Sequence, residues 1–414
     1  MTSVEKKNEV YLRIGTEQHI HHEISEYFTF EVPEAKFLQQ QRRYRRWDGK
    51  IRLYSPGTGE LYVGLYDYLV DWLRKMGYTY TINDSEHYGK PGEENASVSP
   101  QAVAGFVRSL GLPFKARDYQ LAGIYKALRF NRRLILAPTG SGKSLIIYCL
   151  VRWHRQFNRE VLIIVPTTSL VEQMYKDFED YGWDASKFCH KIYGGRDLLS
   201  DLPVTISTWQ SIYKQDRKWF RQYGVVIGDE AHQYKSKSLV TLMTKLDNAK
   251  YRYGFTGTLD GTQTHKWVLE GLFGPSYKII NTRDLQEAGY LAKLNIRCLL
   301  LKHNPRKFDT YEDEVQYLIT HDSRNKFIKN LALDLKGNTL ILYSRVAQHG
   351  EVLYNLINTN DRKVFFVHGG VDTEERESVR QITEEESDAI IVASYGTFST
   401  GTVSYTHLTL PTKA

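Results

Sequence analysis

Residues 133–151 read RLILAPTGSGKSLIIYCLV, and the character of the chain changes twice within that stretch. Leu134–Ala137 is a short apolar run without polar alternation, as in a strand buried on both faces of a parallel sheet. Pro138–Ser144 is polar and glycine-rich, and Leu145–Val151 is apolar again at helical length. Strand, glycine-rich loop and helix in that order make a phosphate-binding loop. Gly140 and Gly142 let backbone N–H groups converge on phosphate oxygens at a helix N-terminus. Lys143 brings a point charge to the β- and γ-phosphates of ATP, and Ser144 offers the hydroxyl that ligates Mg²⁺. Thr139, Gly140, Ser141, Gly142, Lys143 and Ser144 are thus the candidate ATP contacts, with Ala137 in place of the pattern's first glycine.

Downstream, the apolar run Val225–Gly228 ends in Asp229-Glu230-Ala231-His232. Carboxylates at the C-terminal end of a parallel strand face the ligand crevice of such a sheet. Asp229 is the candidate Mg²⁺ ligand, directly or through water, and Glu230 the group that orients and deprotonates an attacking water. Lys143, Asp229 and Glu230 form the candidate catalytic set, and His232 is grouped with the ATP contacts.

The same strand pattern repeats on both sides of the loop. RLILAP, VLIIVP, VTISTW, VVIGDE and YGFTGT alternate with helical segments between about Pro113 and residue 290, which predicts a doubly wound α/β domain. A second series, IRCLLL, TLILYS, KVFFVH and AIIVAS, predicts another such domain over 291–402. Residues 1–88 read as a small basic α+β unit, with Tyr66–Tyr78 spaced as a helix that stops at Gly77. Residues 89–112, rich in turn-formers at their start, read as a linker.

The chain of 414 residues carries a net charge of +7, with 41% hydrophobic and 25% charged residues, an ordinary balance for a globular protein. No apolar run reaches the roughly 18 residues that a membrane span needs. Cys149, Cys189 and Cys298 lie far apart, without the CxxC spacing of a zinc site, and read as reduced thiols. The charge is concentrated: RRYRRWDGKIR, Arg42–Arg52, holds six basic residues against one acidic. Asp48-Gly49 lies between two strand-like runs, a hairpin signal. Arg42, Arg43, Arg45, Arg46, Lys50 and Arg52, interleaved with Tyr44 and Trp47, suit a phosphate backbone and an exposed base. The other reading is a solvated strand face with Trp47 in the module's own core. His19, His21 and His22 offer metal-ligand atoms, but no cysteine or second histidine group lies near them, and they are not read as a metal site.

Together these motifs resemble the superfamily two helicases, over roughly Arg117 to Gly401. That resemblance implies tandem RecA-like motor domains, the second incomplete, and further roles for residues in matching positions. Arg117-Asp118-Tyr119-Gln120 is similar to the adenine-side motif, with Gln120 on the base. Thr167, Gly195, Arg196, Thr208 and Gln210 fall in strings that touch the nucleic-acid backbone, as do Arg345, His368 and Gly369 in the second domain. Thr256, Gly257 and Thr258 match the segment coupling hydrolysis to domain motion, and Ala393–Gly401 the motif that meets both strand and ATP, with Gly401 on the nucleotide side. More narrowly, the basic hairpin with LAPTGSGKS, ISTWQS and VASYGTFSTG resembles the recombination helicases of T-even-like bacteriophages. This implies an ATP- and Mg²⁺-dependent 3′-to-5′ motor on branched or forked DNA, and on RNA–DNA hybrids in R-loops. It also implies a monomer working in the bacterial host cytoplasm during infection. A restriction-system motor, an RNA helicase, or an ATP- and nucleic-acid-binding fragment without turnover are the alternatives.

After Gly401 the chain reads TVSYTHLTLPTKA, and no QxxGRxxR string follows. Residues 403–414 are expected to be a non-native tail on a truncated reading of the gene. An arginine finger is typically worth about 10³–10⁵ in rate. The expectation for the chain as written is therefore ATP binding with weak or absent ATPase.

Overall fold

The computed structural model describes residues 1–32, 35, 39, 47–257, 259, 263–292, 295–302, 306–358, 362–369 and 386–395. The chain divides into two units, Met1–Leu285 and Gln286–Ala414. In the first, strands β1 (Thr2–Lys6), β2 (Tyr11–Gly15), β5 (Tyr54–Ser55), β6 (Glu60–Tyr62) and β7 (Tyr80–Ile82) form a sheet of order β5-β6-β2-β1-β7. β1 and β2 are antiparallel, with Val4 opposite Ile14, and both of those side chains enter the core of the module. Helix Tyr66–Lys75 forms where the spacing predicts, burying Leu69, Val70, Trp72 and Leu73, and Gly77 follows at φ 76°.

Strands β3 (Thr29–Glu31) and β4 (Lys50–Arg52) make a separate two-stranded ribbon. The first strand of the hairpin expected about Asp48-Gly49 falls outside the described residues, and its second forms as β4. Lys50–Arg52 pairs with Thr29–Glu31, Glu31 opposite Lys50 and Thr29 opposite Arg52. Arg42, Arg43, Tyr44, Arg45 and Arg46 lie outside the described residues.

The second sheet of this unit has seven strands, β8 (Arg132–Leu136), β9 (Val161–Val165), β10 (Cys189–Ile192), β11 (Val204–Thr208), β12 (Val225–Gly228), β13 (Tyr251–Thr256) and β14 (Ser276–Lys278). Their order is β10-β11-β9-β12-β13-β8-β14, every pairing is parallel, and the five predicted strands are all present. Successive side chains alternate between two cores, which explains the unbroken apolar runs. Val161, Ile163 and Val165 of β9 meet one face with helices Asp118–Phe130, Lys143–Arg155 and Thr168–Asp180, whereas Leu162 and Ile164 meet the other with helix Lys237–Lys245. This is the doubly wound architecture expected.

The stretch read as a linker is not free chain. Ser99 caps helix Pro100–Ser109 by accepting from the Ala102 N–H at 3.1 Å, and Val103 and Val107, one turn apart, join the core of the parallel-sheet domain. The basic module also packs on that domain. Trp267, from helix Gln263–Phe273, has its ring centre 4.6–5.4 Å from Tyr27, Phe28, Phe30 and Tyr68. Nearby, Glu9 receives Lys6 at 2.8 Å and pairs with buried Arg132, which also donates to the Glu9 carbonyl at 2.7 Å. His19, His21 and His22 fall inside helix Gln18–Tyr27, where His21 bonds the Tyr54 hydroxyl. That helix starts before Glu23, the start expected from the sequence.

The second unit contains β15 (Thr339–Tyr343), β16 (Val364–Val367) and β17 (Ile390–Ser394) in a parallel sheet of order β15-β17-β16. Helices Tyr311–Thr320, Asp322–Asp334 and Glu351–Ile357 belong to the same unit. Three of the four runs predicted there are strands. The fourth, IRCLLL, is not: residues 295–302 carry no strand, and Ile296, Leu299, Leu300 and Leu301 are exposed. A short apolar run specifies no strand without a partner edge to pair with. Residues 396–414, including Gly401 and the 403–414 segment, lie outside the described residues.

Candidate active site

The phosphate loop turns between β8 and helix Lys143–Arg155 on two left-handed glycines, Gly140 at φ 78° and Gly142 at φ 80°. Its stem is tied to the neighbouring strand, the Ala137 N–H donating to the Thr256 carbonyl at 2.8 Å. Gln120 braces the loop from helix Asp118–Phe130. Its amide donates to the Ser141 carbonyl at 2.9 Å and accepts from the Arg117 N–H at 2.8 Å. A Cβ on Gly142 would collide with that amide, so glycine is required there on two counts. Thr139 is exposed, whereas the Ser141 hydroxyl is buried with no hydrogen-bond partner. An orphaned buried hydroxyl in a glycine-rich loop suits a ligand oxygen.

Lys143 reaches across to the end of β12, its Nζ 3.0 Å from Glu230 Oε1. The two motifs read independently from the sequence therefore meet. Glu230 is held in the left-handed region at φ 47°, with its N–H donating to Asp229 Oδ1 at 2.9 Å. His232 Nδ1 lies 3.3 Å from Glu230 Oε2 and 3.2 Å from the Thr256 hydroxyl. A chain of contacts thus runs from Lys143 through Glu230 and His232 to Thr256, where hydrolysis-coupling residues were expected. Gly257 follows Thr256 beside the phosphate loop, and Thr258 lies outside the described residues.

The two carboxylates titrate oppositely. Burial pushes Asp229 up to about 6 against the pull of Lys143. Burial also raises Glu230, but the His232 hydrogen bond and the Lys143 charge outweigh it and hold the group down at about 2. A buried carboxylate at the end of β12 and a serine hydroxyl at the head of the loop helix are oxygen donors of the kind a divalent cation takes. The Ser144 hydroxyl itself shares a 2.8 Å hydrogen bond with the Tyr181 hydroxyl. No sequence motif marks Tyr181; it follows helix Thr168–Asp180, and only the fold brings it to Ser144.

Of the expected nucleic-acid contacts, Thr167, Gly195, Arg196, Thr208 and Gln210 lie at or just beyond the C-terminal ends of β9, β10 and β11. The Thr167 hydroxyl caps helix Thr168–Asp180 by accepting from the Leu170 N–H at 3.3 Å. Gly194 and Gly195 have nothing within 4 Å of a built Cβ, and Arg196 lies over the Tyr193 ring at 4.3 Å. Gln210 is exposed and donates to the Pro166 carbonyl at 3.3 Å. Thr208 is 4% exposed and its hydroxyl bonds Ser211 at 2.9 Å, so it positions the loop and offers no free hydroxyl. In the second unit Arg345 pairs with Glu312, His368 packs near the Phe366 ring, and Gly369 is exposed. Trp47 donates to the Lys50 carbonyl at 2.9 Å, and exposed Lys50 lies 3.8 Å from Glu31. Among the described residues no group of three or more His, Cys, Asp or Glu side chains is placed to hold a metal ion.

Comparison with known proteins agrees with this geometry. Residues 3–83 match the family described as "DNA helicase UvsW, N-terminal", and residues 113–261 match "Type III restriction enzyme, res subunit". The ATP-dependent DNA helicase uvsW of Enterobacteria phage T4 is 32% identical over 409 residues, covering 94% of this chain and 80% of that protein. The DNA 3′-5′ translocase XPB2 of Sulfurisphaera tokodaii is 28% identical over 221 residues, 52% of this chain and 47% of that protein. The crystal structure of T4 UvsW superposes with a TM-score of 0.61 at 29% identity, covering 98% of this chain and 82% of that one. With the phosphate loop, the strand-end carboxylates and the N-terminal module all in place, the chain belongs to the UvsW family of ATP-dependent DNA helicases.

Proposed function

We propose that the chain binds Mg²⁺ and ATP between the phosphate loop and Asp229–Glu230, and couples this site to movement along branched DNA. Fork regression, branch migration and R-loop unwinding, including RNA–DNA hybrids, are its tasks. It moves 3′ to 5′ as a monomer in the cytoplasm of a phage-infected bacterium. The observation that carries this reading is the 3.0 Å contact between Lys143 and Glu230, which joins the two halves of an ATP site. The basic module docked on the same domain supports a forked ligand. No helix among the described residues is long and apolar enough to cross a membrane.

The residues divide the work by their chemistry. Backbone N–H groups around Gly140–Lys143 and the Ser141 hydroxyl would hold the phosphates, with Lys143 countering their charge. Ser144 and Asp229 would hold Mg²⁺, which when bound draws charge from the phosphate oxygens. Glu230, ionised at neutral pH, can accept a proton from a water placed beside the phosphate. Its bond to His232 passes any change at the carboxylate to Thr256. The base contact assigned to Gln120 is compatible with its place against the loop.

Binding tests the substrate preference without requiring turnover. With Mg²⁺ and ATP present, a forked DNA should bind more tightly than a linear DNA duplex, and an RNA duplex least of all. Equal binding of fork and linear duplex would reject the branched-DNA reading. Preference for the RNA duplex would favour an RNA helicase.

A further inference from the structure

Gly228 and Gly254 are register partners in β12 and β13, shortly before the strand ends that carry Asp229 and Thr256. Two rings from outside the helicase-like strings fill the notch that these glycines leave. A Cβ built on either glycine would lie 2.8 Å from Phe273, the last residue of helix Gln263–Phe273, and the one on Gly228 also 2.8 Å from Tyr234. The two rings meet edge to face with centres 5.1 Å apart, and both are buried. Tyr234 belongs to the short helical turn Ala231–Lys235, and its hydroxyl donates to the Ile164 carbonyl at 3.3 Å. That carbonyl, opposite Gly228 in β9, also accepts the Asp229 N–H at 3.0 Å. We propose that Tyr234 is a positioning residue of the ATP site: by sharing one carbonyl with Asp229 it closes the turn that contains Glu230 and His232, and so holds the Asp229 carboxylate in place as the Mg²⁺ ligand. This inference rests on the proposed Mg²⁺–ATP site and adds to it the residue that aims its metal ligand.

The backbone between the two attachments to Ile164 explains why a clamp is needed there. Glu230 sits at φ 47°, and the Gln233 N–H donates to the Glu230 carbonyl at 3.0 Å. A non-glycine residue is strained in that region, and the strain persists only where the surroundings over-determine it. The Asp229 N–H ties down the near end of the bend, and Tyr234 ties down the far end. Close packing keeps the Tyr234 ring from drifting, because Phe273 wedges it against two glycines where a side chain would displace both rings. A carboxylate held in this way needs little reordering when a cation arrives. The phosphate loop is braced separately, by Gln120 from helix Asp118–Phe130. Loosening the turn therefore falls on the metal and spares the phosphate contacts.

The test compares the binding of a fluorescent ATP analogue in Mg²⁺ and in chelator, with thermal unfolding as the check on folding. In Tyr234→Phe the advantage that Mg²⁺ gives the parent should shrink about threefold, the contribution of one modest hydrogen bond, while affinity in chelator stays that of the parent. Phe273→Leu, which unseats the Tyr234 ring and spares its hydroxyl, should move the advantage in the same direction. Tyr223→Phe is the structural control. It removes a buried tyrosine hydroxyl bonded to Thr205 at 2.9 Å, just before β12 and at the opposite end of that strand from Asp229. It should lower stability without changing the Mg²⁺ advantage. A folded Tyr234→Phe or Phe273→Leu whose advantage equals the parent's, or a Tyr223→Phe that loses it to the same extent, would overturn the positioning role while leaving the ATP site intact. A parent chain that binds the analogue equally well in Mg²⁺ and in chelator would overturn the metal site and this inference with it.

Discussion

Ser144 carries two demands on one oxygen: the bond to Tyr181 seen in the structure and the metal contact that the phosphate loop implies. The first must yield to the second. Tyr181→Phe removes the competitor, and since a hydrogen bond contributes about 1 kcal/mol net, ATP affinity in Mg²⁺ should rise by about fivefold. With the metal chelated the variant and parent should bind alike; an equal gain in both conditions would show that Tyr181 acts on the loop and not on the metal ligand. Glu230 shows a different economy, since a non-glycine residue in the left-handed region costs about 1–2 kcal/mol. Contacts from Lys143, His232 and Asp229 hold it there. Lys143, Ser144, Asp229 and Glu230 were legible in the sequence because each lies in a short contiguous string. Tyr181 was not, because its role depends on a helix end meeting a loop far away in the chain.

At the scale of elements, the parallel strands were legible because burial on both faces leaves an unbroken apolar run, and β9 shows both halves of that rule. The same signal failed at IRCLLL, where apolar residues alone do not provide a neighbouring edge. Helix Pro100–Ser109 was hidden by its polar surroundings, although Ser99, Pro100 and the Val103–Val107 spacing were its signals. In the second unit the π-helical turn Val346–Gly350 buries His349, whose Nε2 lies 3.3 Å from Arg324 Nη1. Burial, helped by the Arg324 charge, lowers His349 from 6.5 to about 4. The folded unit therefore prefers the neutral ring, and this contribution is complete above pH 6.5 and is lost as the pH falls from there through about 4. It amounts to roughly 3 kcal/mol at most. Protection factors in β15 and β17, which are free of the intrinsic pH dependence of exchange, should fall over that interval, and His349→Gln should flatten the dependence. An acid limb unchanged in the variant would assign it to other groups.

Across the whole molecule, the least legible feature is how the N-terminal module and the first parallel-sheet domain share one unit. Arg132 finds Glu9, and Trp267 finds Tyr27, Phe28, Phe30 and Tyr68, across long sequence separations that no local pattern announces. The Glu9–Arg132 pair, Phe28 and Trp267 are buried, so the basic module and the domain that holds the ATP site share one packed unit. All of this has a helicase function only if ATP occupies the space between Lys143 and Asp229–Glu230. Titration of the chain with a fluorescent ATP analogue in Mg²⁺ measures that directly. Saturable binding that falls about tenfold or more in Lys143→Ala, and persists in Glu230→Gln, is the result the account predicts. Binding that is indifferent to Lys143→Ala, or absent from the folded parent chain, would contradict it.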